Sequence, residues 1–139
     1  MKLKLRQVIQ SLGYLNQLSG KSGLPMKISY NIGKTLKTAS TVVQEADEQR
    51  VARVKELANK DESGKPIFEK EKNSFQLTPE NLKVLEEELN NLQDQIVEIY
   101  CTPINLSELG NVDISPAIYA NLEWLFVDDL NAPSVAANQ

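Results

Sequence analysis

Histidine is absent from this chain of 139 residues, and cysteine occurs once, at Cys101. Without histidine the commonest metal ligand and the usual general base are both missing, which excludes the usual zinc sites and Ser-His or Cys-His catalysis. A single thiol rules out an intrachain disulfide. No stretch approaches the roughly 20 apolar residues of a membrane span. The opening Met1-Lys2-Leu3-Lys4-Leu5-Arg6 runs into a polar, periodic segment instead of the apolar core of a signal peptide. The expectation is a cytoplasmic protein with no membrane partner.

Acids are missing from residues 1–44, which hold seven cations: Lys2, Lys4, Arg6, Lys21, Lys27, Lys34 and Lys37. From Glu45 onward, eight Lys or Arg stand against all nineteen acids, a net of −11 that brings the whole chain to −4. Such polarity can guide self-assembly or gather an anion, but it names no reaction. Catalysis by a carboxylate, Lys or Tyr would need a neighbour that shifts its pKa. No such pairing is legible, so the chain is read as a non-enzyme without catalytic residues, cofactor or metal.

Hydrophobic periodicity predicts a mainly α fold with a small β element. Lys2 to Leu5 alternates like a short strand, and Val8, Ile9, Leu12, Leu15 and Leu18 then recur at helical spacing until Ser19-Gly20-Lys21-Ser22-Gly23 stops the helix. A long helix follows over about 25–59, with Ile28, Ile32, Leu36, Ala39, Val43 and Ala46 as its apolar stripe. Its partner, about 78–96, carries Leu82, Leu85, Leu89, Leu92 and Ile96 at coiled-coil spacing, behind Thr78 as cap and Pro79 in the first turn. The two form an antiparallel hairpin with a β-hairpin tip at about 65–77. The segment from Val97 to Leu106 is β-leaning and can pair with the first strand. Ser115-Pro116 opens a last helix through Ile118, Leu122, Trp124, Leu125 and Phe126. A single domain over 1–130 with a compact base of N- and C-terminal helices is expected, then a flexible tail over 131–139.

The motifs divide unequally. Gly20-Lys21-Ser22 and Gly33-Lys34-Thr35 resemble the end of a phosphate loop, but the required earlier glycine is Leu15 or Ile28, and no strand aims either one. Glu86-Glu87-Glu88 and Asp128-Asp129 are consecutive, so their carboxylates diverge, and Asp61-Glu62-Ser63-Gly64 lacks the spaced ladder of a calcium loop. The Asn105-Leu106-Ser107 sequon has meaning only in a secreted chain. Cys101 reads as a small buried side chain. An anion face is the sharper reading: Lys27, Lys34 and Lys37 share the first turns of the long helix. Tyr30 there supplies a ring and Asn31 hydrogen bonds, and Arg6 or Lys21 would close the site if the first helix folds back. The competing reading pairs the same lysines with acids of the other long helix. Nucleic-acid association is the weaker alternative, given the negative net charge. Leu122, Trp124 and Phe126 make the last helix apolar on several sides, marking them as a candidate homo-oligomer interface.

Several segments together resemble a family of short helical proteins of tailed phages and prophages. They are Met1-Lys2-Leu3-Lys4, the run from Leu24-Pro25-Met26-Lys27-Ile28 through Asn31-Ile32-Gly33-Lys34-Thr35-Leu36-Lys37, the Lys60-Asp61-Glu62-Ser63-Gly64-Lys65-Pro66-Ile67 turn, and Ile114-Ser115-Pro116-Ala117 leading to Leu122-Glu123-Trp124-Leu125. They cover most of the chain in the family's order. Ala39-Ser40-Thr41 departs from it, replacing a more charged run. The resemblance implies a phage origin and a non-enzymatic accessory role, with no functional residues to carry over. The expected function is therefore binding of an anti-defence type, either neutralising a host protein or sequestering an anionic signalling nucleotide. The alternative is a virion or assembly component.

Overall fold

The computed structural model describes residues 1–127. The fold is mainly α with small β elements. The strand β1 (Lys2–Lys4) runs directly into α1 (Leu5–Ser19), which a short connector joins to the long α2 (Met26–Leu57). At the far end of α2 a small hairpin, β2 (Phe68–Glu69) and β3 (Ser74–Phe75), leads to α3 (Pro79–Gln93). The chain returns through β4 (Ile96–Glu98), β5 (Ile104–Asn105), a 3-10 turn at Leu106–Leu109, α4 (Pro116–Asn121) and β6 (Phe126–Val127).

The core lies where α1 and the first half of α2 pack antiparallel. Val8, Leu15 and Leu18 meet Ile28, Ile32 and Ala39, and Ile104, Ile118, Leu122 and Leu125 close the layer. Leu15, Leu18, Ile32, Leu122 and Leu125 are wholly buried. The three or four residue steps between the buried positions of each helix follow its 3.6-residue turn, which keeps them on one face.

The helix ends follow their sequence signals. Thr78 Oγ1 accepts from the Asn81 amide (3.1 Å) with Pro79 in the first turn, and Ser115 does the same for Ile118 (3.3 Å) ahead of Pro116. At the C-terminus of α2, the side-chain Nδ2 of Asn81 donates to Leu57 O (2.9 Å) and the Lys60 ammonium donates to three carbonyl oxygens, those of Lys55, Glu56 and Ala58. A cation there satisfies the orphan carbonyls and complements the negative end of the dipole. In the adjoining turn, Asp61 Oδ1 accepts from the Ser63 and Lys65 amides and Gly64 takes φ +80°.

Three two-stranded sheets tie these pieces together. β1 pairs antiparallel with β4, Leu3 opposite Val97, so the β-leaning return does meet the first strand. The tip hairpin places Phe68 opposite Phe75 in edge-to-face contact at 5.1 Å. β5 pairs parallel with β6, Ile104 opposite Phe126.

Two expectations need correction. The last helix stops at Asn121 rather than running through Phe126, because Ile104 is buried and its amide takes Leu125 O as acceptor (2.8 Å). Phe126 and Val127 run extended beside Ile104 and Asn105, and a continued helix could not present the strand that this buried backbone pairs with. The seam of α3 is also shorter than its spacing suggests. Leu85 is buried and Leu89 and Leu92 are half-buried, but Leu82 is 45% exposed and Ile96, already in β4, is 60% exposed. The helix ends at Gln93, and only its middle leans on α2. The tail over 131–139 and the Asp128-Asp129 pair lie outside the described residues.

In urea titrations Leu85→Ala should lower the unfolding free energy by about 2 kcal/mol, at the bottom of the range for core leucines. Leu82→Ala should change it by no more than about 0.5 kcal/mol, as at other exposed sites. Equal losses would contradict the shortened seam.

Candidate functional site: a basic face on the long helix

Burying Ile28, Ile32, Thr35 and Ala39 fixes the rotation of α2 and turns Lys27, Tyr30, Lys34 and Lys37 to solvent. Tyr30 is 63% exposed. Between the buried stripe and this face lie Asn31 and Thr38, and against them sits the segment after β4. The Tyr100 amide donates to Thr38 Oγ1 (3.1 Å), and the Tyr100 hydroxyl donates to Asn31 Oδ1 (3.2 Å) while accepting from Thr102 Oγ1 (2.9 Å). This chain of hydroxyls pins the Tyr100 ring to the flank of the helix.

Lys34 uses that ring. Its Nζ lies 4.7 Å from the Tyr100 centroid and 5.8 Å from that of Tyr30, within cation–π reach of both. Among the described residues no carboxylate stands within salt-bridge distance of Lys27, Lys34 or Lys37. One acid of α3 is engaged further along: Arg53 bridges Glu88 (2.8 Å) and also Glu56 of its own helix (3.0 Å). The hydrogen bond from Arg53 holds the exposed Glu88 carboxyl below its ordinary pKa. The pairing of the lysines with acids of the other long helix is therefore not the arrangement found.

The other expected site residues distribute as follows. Asn31 is only 8% exposed, and its carbonyl is committed to Tyr100, so it supports the face from beneath instead of reaching a ligand. Arg6 does not close the site. Because α1 runs antiparallel to α2, its N-terminus lies by Val43 and Ala46, and Arg6 faces Asp94 (3.4 Å) at the end of α3. Lys21 lies in the connector, beside a concavity lined by Gly23, Gly110 and Asp113. Gly20 ends α1 and Gly33-Lys34-Thr35 is regular helix, so neither forms a phosphate loop. Leu122 and Phe126, expected at an oligomer interface, are buried in the protomer's own core. Trp124 is half-buried, and its indole donates to Ser11 Oγ (3.1 Å). Tyr100 and Thr102 were missed in the sequence, where nothing in their local pattern points to a residue some seventy positions away.

No group of acids or Cys that could hold a metal occurs among the described residues, and none of their helices is long and apolar enough to cross a membrane. Asn105 of the sequon caps the 3-10 turn, its Oδ1 accepting from the Ser107 amide (3.2 Å). Cys101 is half-buried, and burial pushes its thiol pKa up, away from a reactive thiolate. Compared with protein-family models, with curated proteins and with solved structures, the chain matches none.

Tyr100→Phe should cost about 1 to 2 kcal/mol in a denaturant titration, because it leaves the buried Asn31 carbonyl without its donor. An unchanged midpoint would show that this hydroxyl chain does not hold the ring. The raised pKa of Cys101 has a fixed sign. The folded state keeps the thiol proton more tightly, so this group leaves stability unaffected below the ordinary thiol range of about 8.5 and lowers it as pH rises through the folded pKa. Cys101→Ala should therefore lose less stability than the parent between neutral and mildly alkaline pH; matching slopes would count against the burial of the thiol.

Proposed function

We propose that this protein acts by binding, with no chemistry of its own, and that the exposed face of α2 at Lys27, Lys34 and Lys37 holds an anionic ligand. One observation carries the reading: the Lys34 ammonium lies at the surface within reach of two tyrosine rings, with Lys27 and Lys37 on either side, and among the described residues no carboxylate pairs with any of the three. An anion can bind there without first breaking an ion pair. Lysines act as compact, rotatable point charges that can meet phosphate oxygens without the fixed bidentate geometry of arginine. An exposed site of this kind is sensitive to salt, because charges on the surface are screened over about 10 Å at 0.1 M.

Taken with the resemblance to phage accessory proteins, the favoured role is sequestration of a phosphate-bearing small molecule of the host or neutralisation of a host factor through its acidic surface. The exposed side chains of Leu82 and Ile96 favour a second reading, a virion or assembly component that associates through the flank of the hairpin. That role requires a concentration-dependent assembly.

The test is isothermal titration with inorganic tripolyphosphate at low and moderate salt. The parent should bind and weaken as salt rises. K34E/K37E should lose binding entirely while keeping the parent's circular dichroism and thermal midpoint, since both lysines are exposed. Binding unaffected by the double substitution would remove the basic face from the reading.

A further inference from the structure

Resting on the anion-binding reading above, we propose that the ligand is a nucleotide whose base lies on the ring of Tyr30 and whose phosphates lie along Lys34 and Lys37. Tyr30 is the most exposed aromatic residue of the described chain, and nothing in the core requires a ring there. It is nevertheless held in place: Lys34, one turn on, sits over it at 5.8 Å while resting more closely on Tyr100. The ammonium lies 5.8 Å from the ring centroid, and the residue stays 63% exposed beside it. An aromatic ring that is both oriented and open is a surface on which a planar base can stack.

The spacing along α2 places charge where the rest of a nucleotide would run. At 1.5 Å per residue, Lys34 and Lys37 lie about 6 and 10 Å along the axis from Tyr30, and Lys27 about 4.5 Å in the opposite direction. All four project within one exposed sector of the helix. A base on Tyr30 with its polyphosphate directed toward the C-terminal end of α2 would meet two ammonium groups in succession. The buried amide of Asn31 is tied to Tyr100 and has no free reach toward the base, so no group on this face reads base identity. The recognition is therefore stacking plus charge, and it tolerates different bases because every base has a π face.

Stacking of one base on an aromatic side chain corresponds to roughly 5- to 140-fold in affinity. The deciding experiment compares adenosine triphosphate with bare tripolyphosphate, without divalent cations, on the full chain and on Tyr30→Ala and Tyr30→Phe. Tripolyphosphate carries no less charge than the nucleotide, so charge alone cannot favour the latter. The expected result is binding of adenosine triphosphate at least about 5-fold tighter than tripolyphosphate by the parent and by Tyr30→Phe. Tyr30→Ala should bind the two probes with equal affinity, and guanosine triphosphate should behave like adenosine triphosphate toward the parent. Equal affinity of the parent for both probes would overturn the nucleotide assignment and leave the anion face standing. Loss of both affinities in Tyr30→Ala would also overturn it, showing that the ring positions Lys34 instead of receiving a base. Failure of the parent to bind either probe would remove the anion reading together with this one.

Discussion

A helix of 32 residues has little reason to persist in water on its own propensity, and α2 is held by what one of its stripes buries. Ile28, Ile32, Thr35 and Ala39 lie beneath α1, each at 4% exposure or less, and this contact sets the rotation of the helix about its axis. Almost everything else follows from that rotation. The opposite side, with Tyr30, Lys34 and Lys37, must face solvent. Asn31 and Thr38, at the margin of the stripe, meet the returning chain at Tyr100. The far end of α2 extends past α1, where α3 leans on it.

The charge polarity of the chain acquires a spatial meaning in this arrangement. The acid-free segment supplies α1 and the packed half of α2, while the acidic remainder supplies the exposed half of α2, the tip and α3. Because α3 runs back only from the far end, its carboxylates meet Arg53 and Arg6 but not the lysines near the start of α2. Exposed pairs of this sort contribute little to stability, and the screened Arg53–Glu88 contact is better regarded as fixing the register of two lightly packed helices. Among the described residues the basic face is left without a carboxylate by topology and not by any scarcity of acids.

The small sheets do a different task. Two of them tie segments distant in the chain to one another: β1 with β4 at the start of α1, and β5 with β6 beyond α4. The second of these decides the end of the described chain, since pairing with Ile104 draws Leu125 and Phe126 out of helical conformation and into the core. Side chains that look surplus in a helical reading are thereby spent inside one protomer.

What the sequence determined by itself is the set of local elements and their limits. The apolar stripes of α1 and α2, the Thr78-Pro79 and Ser115-Pro116 starts, the Asp61 to Gly64 turn and the hairpin pairing of the two long helices are all legible, because each rests on periodicity or on backbone bonds made within a few residues. The lysines and Tyr30 of the candidate site were legible for the same reason, as neighbours on one turn of helix. Only the tertiary structure decided which way those elements face each other. It placed Tyr100 and Thr102 under Lys34, sent Arg6 to the opposite end of the core, left Leu82 and Ile96 uncovered, and turned Phe126 into a strand. These outcomes depend on contacts between residues far apart in the chain and on which buried amides need a carbonyl, and neither quantity is written in any local pattern.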